Sequence, residues 1–222
     1  MKTRLILFTT LLSISFYSAQ VYLQSGFNFG NGFGLTEIPY DDPQLEYPLG
    51  MHAEAGVAIK SKWQIGIFYQ HAQADKSNYL ITNKSEELTS LNQTFGLRPT
   101  YKIHQYPNKI ASLWVGIPLF FSSQTNNWRT GIYNAYNPND YSSGVDDASF
   151  FSIGIAPSLK ISPENRHCYF YFTPTYAFHT LQSSTRHVYI APTLGETTTL
   201  QNDYAKSSFL FNFGFGYLFG QK

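Results

Sequence analysis

The alternation of residues near the C-terminus constrains the fold more than any other feature of this chain. Aromatic side chains occupy every second position of the last stretch, at Phe209, Phe211, Phe213, Phe215, Tyr217 and Phe219. The intervening positions hold Ser208, Leu210, Asn212, Gly214, Gly216 and Leu218. Successive side chains of a β-strand point to opposite faces, so one face of this strand is a continuous aromatic ribbon. Such a strand requires apolar surroundings along one entire face.

The same alternation recurs in seven earlier segments, which predicts about eight strands in total. These segments are VYLQSGFNFG, MHAEAGVAI, WQIGIFYQ, TFGLRPTYKI, ASLWVGIPLFFS, FSIGIAPSLKI and YFYFTPTYAFH. Short turns are predicted at 60–62, 104–109 and 162–167, and long polar loops at 31–49, 74–89, 124–148 and 181–205. A regular exchange of short and long connections is typical of membrane β-barrels, whose periplasmic turns are short and whose extracellular loops are long.

The composition indicates whether the aromatic faces meet lipid or a soluble core. Charged residues make up 13% of the chain and aromatic residues 18%, whereas about a quarter of a soluble domain is charged. A soluble core could hold the aromatic side chains, but it would not explain so few charges on the remaining surface. The sequence therefore predicts an all-β, transmembrane, antiparallel up-and-down β-barrel with both termini in the periplasm. A soluble eight-strand sandwich or a lipocalin-like cup is the structural alternative.

The first nineteen residues have the pattern of a secretory signal peptide. Lys2 and Arg4 precede an apolar stretch at 5–16, and the small residues Ser18 and Ala19 follow it. The apolar stretch is too short for a membrane-spanning helix, which needs about twenty residues. We therefore predict a signal peptide at 1–19, an outer-membrane β-barrel domain at 20–222 and a final location in the cell outer membrane. The single cysteine, Cys168, excludes an internal disulfide.

Four prolines inside the predicted strands are the main objection to this fold. Proline lacks the amide N–H that a strand donates, so it normally occurs at sheet edges or bulges. The prolines recur in register, however, because GLRPTY at 96–101 is echoed by GIAPSL at 154–159, and GIP at 116–118 by FTP at 172–174. Two related hairpins that accommodate the prolines by bulges or kinks would explain this repetition.

Three features together resemble a known family. They are the SAQ end of the signal peptide, the paired strands GLRPTY and GIAPSL, and the terminal FLFNFGFGYLF. With them the chain resembles the Bacteroidota outer-membrane protein β-barrel family, which is related to small OmpA- and OmpX-type barrels and has PorT-like members. The resemblance implies insertion by the barrel-assembly machinery through the aromatic last strand. It also implies roles that range from structural barrels to accessory parts of type IX secretion. One departure is that Gly220, Gln221 and Lys222 follow Phe219.

The face opposite the aromatic ribbons is predicted to line the barrel lumen. It carries a polar network of charged or titratable residues: His52, Glu54, Arg98, Lys102 and Lys160. Eight strands enclose an interior that side chains just fill, and charges buried there must be paired. We therefore predict a salt-bridged plug. A gated ion path, or a proton-sensitive contact through His52, is the alternative.

Candidate chemistry outside this network is sparse. His179 with Ser183 and Ser184 is the best group for a lipid-modifying hydrolase, because a His and Ser pair can support acyl transfer. The carboxylates of Asp41, Asp42, Asp140, Asp146 and Asp147 could bind calcium, but their spacing matches no calcium-binding loop. Without Lys2 and Arg4, 13 basic residues face 14 acidic ones without clustering, which argues against nucleic acid as a partner. We expect no enzyme activity, no catalytic residues, no metal and no cofactor.

The function expected from these features is that of a non-enzymatic outer-membrane barrel with a filled polar lumen and long extracellular loops. It would act in envelope structure, adhesion or assembly, including a secretion accessory role. The expected partners are outer-membrane lipid, lipopolysaccharide, the barrel-assembly machinery and an extracellular or envelope protein. A narrow transport or ligand-binding barrel and a lipid-modifying outer-membrane hydrolase are the alternatives.

Overall fold

The computed structural model describes residues 19–31, 49–59, 61–79, 84–107, 110–132, 141–163, 167–190, 193–198 and 206–220. These residues form ten strands: β1 (Ala19–Asn31), β2 (Leu49–Ile59), β3 (Trp63–Tyr79), β4 (Lys84–Gln105), β5 (Ala111–Gly116), β6 (Leu119–Ile132), β7 (Tyr141–Ile161), β8 (Cys168–Ile190), β9 (Thr193–Thr198) and β10 (Ser207–Leu218). No helix in these ranges is long and apolar enough to cross a membrane. Apart from Ala19, the predicted signal peptide lies outside the described residues.

The strands close into an antiparallel barrel with eight positions around the ring. β5 and β6 lie end to end between β4 and β7, so together they occupy one position. The first and last strands close the ring, with Tyr22 opposite Leu218 and Asn31 opposite Phe209. Strand β9 pairs with the distal end of β8 on the edge opposite β7, which is also the edge that pairs with β10, so β9 lies in line with β10. The predicted up-and-down barrel of about eight strands is confirmed.

In each of the predicted strands, the alternate residues that point inward and outward are those that the sequence predicts. In β1, Tyr22, Gln24 and Asn28 are buried, whereas Val21 and Leu23 are exposed. Because directly opposed residues point to the same face, the antiparallel register carries this phase from strand to strand around the ring. Small and polar residues therefore line the lumen together with a few aromatic residues, and apolar residues cover the outside.

The strand prolines lie on four adjacent positions of the ring, and none of them shifts the register. Pro118 falls between β5 and β6, yet Gly116 opposite Thr100 and Leu119 opposite Leu97 keep a single register with β4. The same holds between β7 and β8, where Ile155 opposite Tyr176 and Leu159 opposite Phe172 flank Pro157 and Pro174. The structure thus places an interruption of the pairing at these prolines and no bulge. Bulges lie elsewhere, between Lys102 and His104, Ser149 and Phe150, and Val188 and Ile190.

The carbonyl oxygens of the prolines explain why the sheet tolerates them. Pro99 accepts a hydrogen bond from the Ile117 amide at 3.0 Å, and Pro118 accepts one from the Gly154 amide at 2.9 Å. Proline loses its donor but retains its acceptor, so each of these residues still holds its neighbouring strand.

Strands continue well into the segments that the sequence analysis assigned to loops. β3 reaches Tyr79 and β4 begins at Lys84, inside the predicted loop 74–89. Likewise β6 and β7 extend into 124–148, and β8 into 181–205. We call the paired extensions 74–79, 84–90, 124–132, 141–148 and 182–190 the arms. The predicted bounds of these long polar loops were wrong, because backbone pairing requires no apolar face and the alternation disappears where no face meets apolar surroundings. Of the predicted loop 31–49, residues 32–48 lie outside the described residues.

Candidate functional site in the barrel lumen

A buried ion pair forms the centre of the lumen near the short turns. The Glu54 side chain, on β2, pairs with the Arg98 guanidinium, on β4. The Tyr22 hydroxyl donates a 2.5 Å hydrogen bond to Glu54 Oε1, and His52 Nε2 lies 3.7 Å from Glu54 Oε2. Glu54 is 5% exposed. A carboxylate buried to this degree is costly without a cation, so Arg98 makes its charge tolerable.

The small size of a neighbouring residue allows this pair to form. Gly66 on β3 faces the lumen, and a Cβ atom there would overlap the Tyr22 hydroxyl and the Glu54 carboxylate. The glycine thus provides the space in which the ion pair and its tyrosine lie.

Lys160 lies beside the ion pair in an aromatic cage. Its ammonium donates to Gln64 Oε1. The Nζ atom is 5.5 Å from the ring centre of Tyr22, 4.9 Å from that of Trp114 and 5.0 Å from that of Tyr169. A cation over aromatic faces is attracted by their quadrupoles, more strongly where water is excluded. Three rings and one amide oxygen therefore stabilise this buried cation.

Lys102 reaches the other network residues through the Trp114 ring, which also contacts Lys160, rather than through the Glu54 ion pair. It is half-buried, donates to Gln105 Oε1 at 3.2 Å and lies 4.9 Å from the Trp114 ring. Of the five predicted network residues, the structure brings His52, Glu54 and Arg98 together and places Lys160 alongside them. Lys102 lies at the rim near the short turns.

An apolar layer crosses the lumen beyond the charged cluster. Phe68 and Phe120 are 4% and 3% exposed, and they pack with Ala177 and Leu210. Their ring centres are 6.0 Å apart, and Arg98 lies 5.7 Å from the Phe68 ring. Phe120 and Trp114 also line the lumen and were not among the predicted lumen residues. The phase of ASLWVGIPLFFS places both on the inner face and could have identified them.

A polar layer fills the lumen toward the arms. Gln70 donates to Asn212 at 2.9 Å, and the hydroxyls of Thr94 and Ser122 are 2.9 Å apart. A cavity of about 10 Å³ lies beside the ion pair, with room for about one water molecule. The described side chains thus fill the interior in three successive layers, which are charged, apolar and polar.

The predicted His and Ser group is not assembled. His179 is buried and hydrogen bonds to Ser152 at 2.7 Å and to Ser208 at 2.8 Å. Ser183 is exposed, and its hydroxyl lies 2.7 Å from that of Ser149. Four residues along a strand span about 13 Å, so Ser183 is too distant to share a proton with His179. Ser184 is buried one residue further on.

The proposed calcium ligands do not form a described site either. Asp146 is buried on the inner face of β7, and Asp147 accepts a 2.6 Å hydrogen bond from Thr125. Asp41, Asp42 and Asp140 lie outside the described residues. In the part of the chain that the structure describes, no group of three or more His, Cys, Asp or Glu residues could hold a metal ion.

Comparison with known proteins identifies the type of barrel. No protein-family model matches the chain, and no curated protein matches it. A major outer membrane protein from Thermus thermophilus has a similar solved structure, with 10% identity, a TM-score of 0.63, and coverage of 91% of this chain and 100% of that one. The outer membrane protein OprG from Pseudomonas aeruginosa is also similar, with 12% identity, a TM-score of 0.54, and coverage of 92% and 97%. This chain has the fold of an outer-membrane β-barrel.

The outer surface of this outer-membrane barrel carries an apolar band. On β7 its residues are Phe151, Ile153, Ile155, Pro157, Leu159 and Ile161. Ten residue steps of about 3.3 Å span roughly 33 Å along the strand, or about 25 Å of height at the usual tilt, which is the height of the apolar band in such barrels. Gln93, Ser123 and Asn127 are exposed polar residues on the outer face toward the arms. The band therefore ends close to where the arms begin.

The aromatic ribbon of β10 lies on this outer face. Phe215 is 73% exposed, and Phe209, Tyr217 and Phe219 are also exposed. Phe211 and Phe213 are half-buried because their rings pack on β1, with Phe211 stacked on Phe29 at 4.9 Å and Phe213 6.0 Å from Phe27. The ribbon thus covers the seam at which the last strand closes the barrel on the first.

Proposed function

We propose that this protein is a non-enzymatic outer-membrane barrel whose lumen is filled and whose arms act outside the cell. The fold, the apolar band and the predicted signal peptide support export to the outer membrane, where lipid and lipopolysaccharide would surround the band. Insertion would use the barrel-assembly machinery. The observation that carries the proposal is the filled interior, since charged, apolar and polar layers of described side chains cross the lumen and the cavity beside the ion pair is about 10 Å³. A barrel without a pathway must act through its surfaces.

The arms are the surface that this proposal assigns to function. Both termini of the barrel and its short turns lie at one end, which faces the periplasm in outer-membrane barrels. The arms would then project from the cell as paired strands, with Lys84 opposite Ile132 and Ser142 opposite Ile190 near their tips. Paired strands hold a surface in a fixed shape, which suits adhesion or docking of an extracellular or envelope protein. A secretion accessory role would be one form of such docking.

Labelling of cysteine variants on intact cells tests the orientation and the use of the arms. In a Cys168→Ser background, Ser183→Cys places a thiol on an arm, and Lys62→Cys places one at a short turn; both original side chains are exposed. We expect a membrane-impermeant maleimide to label the Ser183→Cys variant on intact cells. The Lys62→Cys variant should be labelled only after the outer membrane is opened. The reverse pattern would contradict the orientation.

The same pair of variants tests docking. A photoactivatable impermeant maleimide attached to the Ser183→Cys variant should yield a discrete cross-linked species on illumination in cells. The permeabilised Lys62→Cys sample is the matched control and should not yield that species. If the arm variant is labelled fully but gives no cross-linked species in growing cells, the docking role fails while the barrel topology stands.

Conductance distinguishes this proposal from a narrow transport barrel. We expect the purified protein in a planar bilayer to give no stepwise conductance, because Phe68 and Phe120 cross the lumen and the charged cluster lies below them. An open porin recorded in the same bilayer is the positive control. Reproducible single-channel steps from the folded protein would favour transport over the surface role.

A further inference from the structure

The part of the lumen near the short turns holds more positive than negative charge. Arg98, Lys160 and Glu54 all line the same small cavity. Both oxygens of Glu54 are already engaged, Oε1 by the Tyr22 hydroxyl and Oε2 by Arg98. One cation therefore neutralises the carboxylate, and the charge of Lys160 has no counter-charge among the residues that line the cavity. Buried charges without a counter-charge are costly.

Hydrogen-bond donors surround this cavity. Lys160 Nζ donates once to Gln64, which leaves two of its three N–H groups for other acceptors. The Thr173 hydroxyl donates to Ser158 Oγ at 2.7 Å, so the Ser158 proton is directed to another acceptor. Gln24 accepts the Tyr169 hydroxyl through Oε1 at 3.2 Å, and its amide nitrogen remains as a donor beside the cavity. The lining thus offers cationic, amide and hydroxyl donors in one place.

We propose that this cavity binds a single halide ion, which under ordinary conditions is chloride. The ion supplies the negative charge that Lys160 lacks and accepts hydrogen bonds from the donors around it. A cavity of about 10 Å³ is on the scale of one water molecule, so chloride, which is somewhat larger, requires small shifts of the lining side chains, and phosphate and sulfate are too large. A water molecule would accept the same hydrogen bonds but would bring no negative charge, so the Lys160 ammonium would then lose its proton instead of being paired. This inference is independent of the surface role proposed above.

Bromide is the probe for the test, because its anomalous scattering identifies it in a crystal. The full chain is unfolded and refolded into detergent micelles in sodium bromide, so that slow exchange into a closed lumen does not limit binding. Crystals measured at the bromine absorption edge should show an anomalous peak inside the cavity, in contact with Lys160 Nζ. Ordered lumen side chains with no anomalous peak in the cavity would overturn the proposal.

Thermal unfolding provides a second test that also assigns the effect to Lys160. At equal ionic strength, the unfolding midpoint should be about 2–4 °C higher in sodium chloride than in sodium gluconate, a shift expected for modest ligand binding to a chain of this length. The difference should disappear in Lys160→Met and persist in Lys102→Met, whose lysine lies at the rim. Equal midpoints in the two salts, or the same difference in Lys160→Met as in the unmodified chain, would overturn the proposal. If Lys160→Met does not refold, the bromide measurement on the unmodified chain decides.

Discussion

Replacing Arg98 by methionine is expected to lower the free energy of unfolding by about 3–5 kcal/mol. The substitution leaves the Glu54 carboxylate buried at 5% exposure without its paired cation; Lys160 lines the same cavity, but its ammonium donates to Gln64 and not to Glu54. Tyr22 would still donate a hydrogen bond to Glu54, but a hydroxyl contributes no opposing charge. Urea-induced unfolding of the protein in lipid vesicles, followed by tryptophan fluorescence, measures the change.

A double variant separates the cost of leaving the Glu54 carboxylate unpaired from the cost of losing the packing contacts of the Arg98 side chain. Combining Arg98→Met with Glu54→Gln removes both charges, so most of the lost free energy of unfolding should return. Lys102→Met is the matched single control, since that lysine is half-buried at the rim, and we expect a change within about 0.5 kcal/mol. If Arg98→Met costs no more than Lys102→Met, the ion pair is not what makes Glu54 tolerable in the lumen.

Placing an arginine in the middle of the apolar band is expected to cost about 2–4 kcal/mol. Ile155 lies at the centre of the band on β7 and is 56% exposed. In the bilayer this position meets hydrocarbon, where a guanidinium loses its hydration. The free energy of folding into lipid vesicles should therefore fall for Ile155→Arg.

An outward position on an arm is the control for this substitution. Asn127 lies on the outer face of β6 above the band and is exposed, so Asn127→Arg should change the free energy by less than about 1 kcal/mol. The comparison also excludes the soluble alternatives, because an exposed isoleucine in water tolerates arginine. Equal effects at Ile155 and Asn127 would show that the outer face does not meet lipid.

The strands and their faces could be predicted because side chains of a strand alternate between two faces. Where the two faces meet different surroundings, apolar and polar residues alternate along the sequence. The terminal strand shows this best, since every aromatic residue from Phe209 to Phe219 lies on the outer face. The arms could not be predicted in the same way. Residues 74–79 and 84–90 pair as strands, but polar surroundings place no demand on alternate positions. Backbone pairing by itself requires no alternation of apolar and polar residues.

The sequence predicts which residues of the lumen cluster lie on the inner face of their strands, but not how far along the barrel axis each of them lies. Phase alone places Glu54, Arg98 and Lys102 on the inner side, yet Lys102 is four residues beyond Arg98, or about 13 Å further along β4. That distance moves it to the rim. The partner of Lys160 is Gln64, 96 residues away in sequence. Such a pairing depends on the stagger of the strands around the closed ring, and short-range sequence patterns do not indicate this stagger.

The most direct test of the central claim is the migration of the protein on a detergent gel, with and without boiling, after extraction from purified outer membranes. A closed barrel that spans the outer membrane should be recovered in that fraction and should migrate faster unboiled, because the folded barrel resists the detergent. Recovery in the soluble periplasmic fraction, with the same migration before and after boiling, would contradict the account. The apolar band would then have to be the buried face of a different assembly.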